Sequence, residues 1–164
     1  MNLIVTTAIA LTIVFPAYMI LTDRKVGTSY SISDSWYSWR SVKKSYMFIV
    51  FLACVMLGLW FVVDFDGWKS DAAPLLLTLG GFFAWMIGVA ANFKQTKSIA
   101  TYHNVFSVLC FASVLVGFAI QGITFPLVGF AIICAALAPI KIEKKTTIIE
   151  SIGIGLSIAA IYYL

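Results

Sequence analysis

Six stretches of about twenty residues, each nearly free of charge, succeed one another along this chain and limit what it can fold into. A bilayer core about 30 Å thick needs ~20 apolar residues in a helix, because hydrocarbon satisfies no backbone polar group. Counting such runs predicts spans at 3–21, 45–63, 73–92, 104–121, 123–140 and 146–164. The expected fold is all-α, a polytopic transmembrane helix bundle forming a single domain over residues 1–164.

Composition excludes the soluble alternative. Hydrophobic residues make up 62% of the chain and charged residues 11%. A soluble domain carries roughly 25% charged residues to face water. The net charge of +4 forms no basic stripe of the kind that grips nucleic acid, so a nucleic-acid partner is not expected. Cys54, Cys110 and Cys134 each sit inside an apolar run, match no metal spacing and read as small packing residues. Met1-Asn2 leads straight into Leu3-Ile4-Val5 with no basic region before it, which reads as a first span rather than a cleaved signal.

Orientation follows from the cations, which favour the cytoplasmic side. Arg24, Lys25, Arg40, Lys43 and Lys44 follow the first span; Lys94 and Lys97 follow the third; Lys141, Lys144 and Lys145 follow the fifth. Only Lys69, beside Asp64, Asp66 and Asp71, falls on the other side. The expectation is an inner-membrane protein with both termini non-cytoplasmic. Gly122 is placed to break a helix and Pro126 to open the next, which predicts a tight hairpin between spans four and five.

Small and polar residues mark faces that pack in lipid. Gly81, Ala84, Gly88 and Ala91 form such a face in span three, and His103, Ser107, Cys110, Gly117 and Gln121 form one in span four. Ala131, Ala135 and Ala138 offer one in span five, and Thr146, Glu150, Gly153, Ser157 and Ala160 in span six. Pro16 is expected to kink span one, with Thr6 and Thr12 bonding back to carbonyls.

The richest polar segment is 28–40. Ser31-x-x-Asp34 fits a capping box, which predicts a helix from near Ile32 running on into span two. Trp36 and Trp39 would then lie at headgroup level, with Arg40, Lys43 and Lys44 reaching phosphates. The candidate site gathers Asp34, Tyr37, Arg40, Tyr102, His103 and Glu150 at one depth on the cytoplasmic face. Glu150 is the sharpest member, since an ionisable group inside a membrane usually faces the bundle interior. Its alternatives are a dipole-favoured carboxylate near a helix start, or a pair with Lys144 or Lys145. His103, the only histidine, cannot build a multi-histidine zinc centre, and no metal or other cofactor is expected. Asp64-Phe65-Asp66-Gly67-Trp68 lacks the remaining ligands of a calcium loop and reads as a solvated acidic turn.

Ser31-Ile32-Ser33-Asp34-Ser35-Trp36-Tyr37, Arg40 and Tyr102-His103-Asn104 together resemble a loosely defined group of bacterial multi-span membrane proteins. That group is distantly similar to the superfamily of membrane hydrolases that includes alkaline ceramidases and adiponectin-type receptors. The resemblance implies zinc-dependent, seven-spanning proteins with a terminal His-x-x-x-His pair. This chain has six expected spans and no such pair, and no catalytic role is carried across. No catalytic constellation is complete. The expected function is therefore a non-enzymatic accessory or lipid-interacting bundle, with membrane lipids, another membrane protein or further copies of itself as partners. A metal-dependent lipid hydrolase using Asp34, His103 and Glu150 is the alternative, and a small transporter or channel the third.

Overall fold

The computed structural model describes residues 3–27, 32, 34–91, 97–141 and 145–164, with only the backbone described for 89–91 and 97–100. Among the described residues the chain is all-helical and has no strand. Its helices are α1 (Leu3–Val26), α2 (Ser35–Ser41), α3 (Tyr46–Val63), α4 (Ala72–Ala91), α5 (Lys97–Ile120), α6 (Phe125–Leu137) and α7 (Lys145–Ile161). Among the described residues three stretches are long and apolar enough to cross a bilayer: Leu3–Val26, Tyr46–Val63 and Thr101–Ile120. The outer surface is apolar as well, with Trp60 71%, Val108 68% and Ile13 64% exposed. These features mark the chain as a membrane protein.

Local chemistry sets the boundaries. α1 runs past the expected end at 21 because Arg24 and Lys25 in its last turn suit the negative end of the helix dipole. It stops at Gly27, whose φ of 85° few other residues adopt. α5 begins seven residues before the expected 104, since polar residues outside the hydrocarbon can remain helical. α6 has 13 residues, shorter than the apolar run 123–140. Thr124 stands at its N-cap, and Pro139 lies just beyond its last helical residue, where a proline cannot continue the helix.

The turn after α5 is a Schellman motif. Ile123 N–H donates to Phe118 O and Gly122 N–H to Ala119 O, both at 2.9 Å, with Gly122 at φ 97°. The expected break at Gly122 is there, and α6 packs back on α5.

The closest helix pair is α4 with α5. A Cβ on Gly117 would come within 2.4 Å of Leu77 Cδ1 and 3.2 Å of the Ala73 carbonyl, so the two backbones approach closely there. Gly81, Ala84 and Gly88 are buried, as are His103, Gly117 and Gln121 on α5, while Leu109 and Val116 face outward. Glu150, Gly153 and Ala160 are buried on α7. Two expected faces are corrected. Ala131, Ala135 and Ala138 are exposed, because α6 lies at the rim and buries only Pro126 among its helical residues. Thr146 is exposed, and its neighbour Thr147 takes the inward position.

Opposite the basic loops, the end of the bundle is clasped by Gln121. Its side-chain amide donates to Gly67 O at 3.0 Å, and its Oε1 accepts from Lys69 N–H at 2.8 Å. One side chain thereby ties the α3–α4 turn to the end of α5. Asp64 and Asp66 in that turn are exposed.

Candidate functional site

At the basic end, the expected continuous helix from Ile32 into span two is replaced by two helices. α2 ends at Ser41, and Lys43 takes a φ of 58° before α3 starts at Tyr46. Asp34 occupies the N-cap of α2 without a side-chain capping bond, and Ser31 lies outside the described residues.

Two hydrogen bonds fix α2 against α1. The Tyr18 hydroxyl meets Ser35 Oγ, and Trp39 Nε1–H donates to Thr22 Oγ1 at 3.1 Å. Tyr18 and Thr22 stand one turn apart on α1, as Ser35 and Trp39 do on α2, so each pair shares a helix face. Because both rungs advance in the same sense, α2 runs parallel to the end of α1. Trp36 and Trp39 are 9% and 2% exposed, so they pack against protein rather than facing outward. The Trp36 ring meets Phe48 edge-on at 6.0 Å, and Tyr18 stacks on Phe51 at 4.1 Å. Such aromatic pairs add about 0.5–1.5 kcal/mol beyond area burial.

Hydrogen-bond directions along this seam can be assigned. Ser35 Oγ–H donates to Ile32 O at 2.5 Å, which uses its only proton. Tyr18 must then be the donor in its bond to Ser35. Trp36 Nε1–H is buried and has no partner among the described residues.

Glu150 closes the arrangement from α7. It is buried, and its Oε2 accepts the Ile32 backbone N–H at 2.6 Å. The alternative partner Lys145 is engaged elsewhere, its Nζ donating to Ala138 O at 2.7 Å and Ile140 O at 3.3 Å. Lys144 lies outside the described residues.

Behind this seam lies a cavity of about 150 Å³ between α1, α3, α4, α5 and α7. Ile32 and Glu150 line it at the basic end, and Leu59, Phe118 and Ile161 line it towards the other. Glu150 and Ile161 are eleven positions apart on α7, as are Phe48 and Leu59 on α3 and Ser107 and Phe118 on α5. At 1.5 Å per residue the lining covers about 16 Å, roughly half of a ~30 Å hydrocarbon core. A cavity of this size lined by Leu, Ile and Phe stays dry and accepts small apolar molecules.

Of the expected site residues, Glu150 and His103 are buried, Asp34 and Tyr37 are half-buried, and Arg40 and Tyr102 are exposed. Glu150 is bonded to Ile32, two positions before the half-buried Asp34, and Tyr37 is half-buried on α2. His103 is buried one turn before Ser107, a cavity-lining residue whose hydroxyl donates to His103 O at 3.0 Å. Arg40 and Tyr102 are exposed, whereas His103 and Glu150 are buried. Among the described residues no group of three or more His, Cys, Asp or Glu side chains is placed to hold a metal ion. Sequence reasoning missed Tyr18, Thr22 and Ser35 as partners, and it missed the cavity. The i, i+4 spacing of Tyr18 with Thr22 and of Ser35 with Trp39 was the available signal.

No protein family model, no curated protein and no solved structure matches this chain.

Proposed function

We propose that this protein is a small six-span, lipid-interacting bundle of a prokaryotic inner membrane that takes a small apolar group, the end of a membrane lipid chain, into its central cavity. The carrying observation is that cavity, about 150 Å³ of apolar space whose lining extends over about one leaflet's depth and meets one buried carboxylate. The spans beyond the three long apolar helices are α4, α6 and α7, with α2 held against α1. The basic loops lie beneath the cytoplasmic leaflet and both termini lie on the other side. The role is that of an accessory protein, and enzymatic chemistry is not part of this reading. A hydrolase built on Asp34, His103 and Glu150 draws no support from the arrangement of ligating side chains, and a through-channel is disfavoured by the Gln121 clasp.

Native mass spectrometry after extraction in mild detergent tests this reading. The expected spectrum shows a retained lipid, reduced in Val55→Trp, which fills the cavity from α3 while the thermal melt stays cooperative. A wild-type spectrum containing only bare protein would sink the proposal.

A further inference from the structure

We infer that a groove between α3 and α4 seats one acyl chain of a lipid whose headgroup carries an ammonium, with Asp64 receiving that ammonium at the bundle end opposite the basic loops. This surface is distinct from the central cavity, with which it shares only Leu59 among its lining residues.

The groove has a volume of about 370 Å³. An apolar cavity of about 150 Å³ accepts benzene, so this one has room for a chain segment of roughly a dozen carbons. Its length fits as well. Met56 and Asp64 both line it and stand eight positions apart in sequence, about 12 Å at 1.5 Å per residue. Gly81 forms the floor, where the nearest atoms to an added Cβ are Met56 Cε at 3.5 Å and Leu59 Cδ1 at 3.9 Å. Trp60, Phe82 and Trp85 border the groove and are 71%, 49% and 55% exposed, so it opens outward, towards lipid.

Polar groups select the headgroup. Thr78 lines the groove, but its hydroxyl donates to Pro74 O at 2.9 Å. The indole N–H groups of Trp60 and Trp85 suit phosphate and ester oxygens, which phospholipids share, so they do not choose between headgroups. Asp64 is the charged residue of the lining. It is exposed at the C-terminal end of α3, where water keeps an aspartate carboxyl ionised at neutral pH. Asp66 and Asp71 in the same turn are exposed acids. Lys69, the cation of that turn, lies against the end of α5, its Nζ 3.4 Å from the place of a Cβ on Gly122. The mouth of the groove is therefore negative. It repels an anionic headgroup, whereas an ammonium gains a charge-assisted bond to Asp64, with the Trp60 ring one helical turn away as a second attraction for a cation.

Vesicles of phosphatidylethanolamine and phosphatidylglycerol in equal amounts, with one of the two brominated on its chains, test this preference. Bromine quenches nearby tryptophan, and the part of the emission lost in Trp60→Phe reports on this groove. That emission should show phosphatidylethanolamine held about fivefold more tightly at low salt, the upper end for an exposed ion pair. Asp64→Asn should bring the ratio close to one. Asp66→Asn, in the same turn but outside the groove lining, should leave it unchanged. A wild-type ratio near one, or one favouring phosphatidylglycerol, would overturn the inference. So would a ratio unchanged in Asp64→Asn, or one lost equally in Asp66→Asn. Should Asp64→Asn not reconstitute, salt decides: at about 1 M the Debye length falls to about 3 Å, and a wild-type preference that survives there would not come from Asp64.

Discussion

Glu150 on α7 accepts the backbone N–H of Ile32, 118 positions earlier in the chain, at 2.6 Å. This contact joins the last helix to the segment before α2 and sets one wall of the cavity. Glu150→Ala should leave a buried amide unsatisfied, at a cost of about 1–3 kcal/mol, whereas Glu150→Gln keeps an acceptor and should cost less. Hydrogen exchange at the Ile32 amide checks this: it should accelerate in Glu150→Ala and stay near wild type in Glu150→Gln. Equal exchange in all three proteins would contradict the bond.

The two rungs between α1 and α2 should differ in worth. Thr22→Val strands the buried Trp39 N–H and should destabilise by about 1–3 kcal/mol. Tyr18→Phe removes a donor but leaves Ser35 bonded to Ile32 O, so its cost should be about 0.5–1.5 kcal/mol. Thermal or denaturant unfolding in detergent gives the order, and a larger loss in Tyr18→Phe would show the donor assignment to be wrong.

Trp36 carries a buried indole N–H without a partner among the described residues. Trp36→Phe keeps a ring against Phe48 and removes that unsatisfied donor, so stability should be unchanged or rise by up to about 1 kcal/mol. Trp36→Ala removes the ring and should cost about 3–5 kcal/mol. A Phe variant as unstable as the Ala variant would mean the indole nitrogen is bonded in the membrane.

Two glycines in helices should respond with opposite signs. At Gly117 an added methyl meets Leu77 and the Ala73 carbonyl, so Gly117→Ala should cost about 1–3 kcal/mol by forcing α4 and α5 apart. Gly155 has nothing within 4 Å of an added Cβ, and Gly155→Ala should gain about 0.5–1 kcal/mol through reduced chain entropy. Paired melts of the two variants provide the check, and the same sign in both would refute the packing at Gly117.

The sequence by itself determined the solvent and the helical class. Runs such as 46–63 leave hydrocarbon as the only medium that suits them, and Gly122 marked a helix end because glycine, lacking a Cβ, adopts a positive φ without strain. It also showed the inward faces of α4 and α5, since close packing in lipid needs small side chains wherever the partner lies. Tertiary structure decided the remainder. Whether Trp36 and Trp39 face outward or pack against protein depends on α2 lying beside α1, and no local propensity encodes that contact. The outward turn of Ala131 and Ala135 follows from the place of α6 at the rim. Glu150 was identifiable as an intramembrane carboxylate, but its partner is a backbone amide, which every non-proline residue possesses. The cavity is likewise a space left between five helices, a property of their arrangement and of no single one.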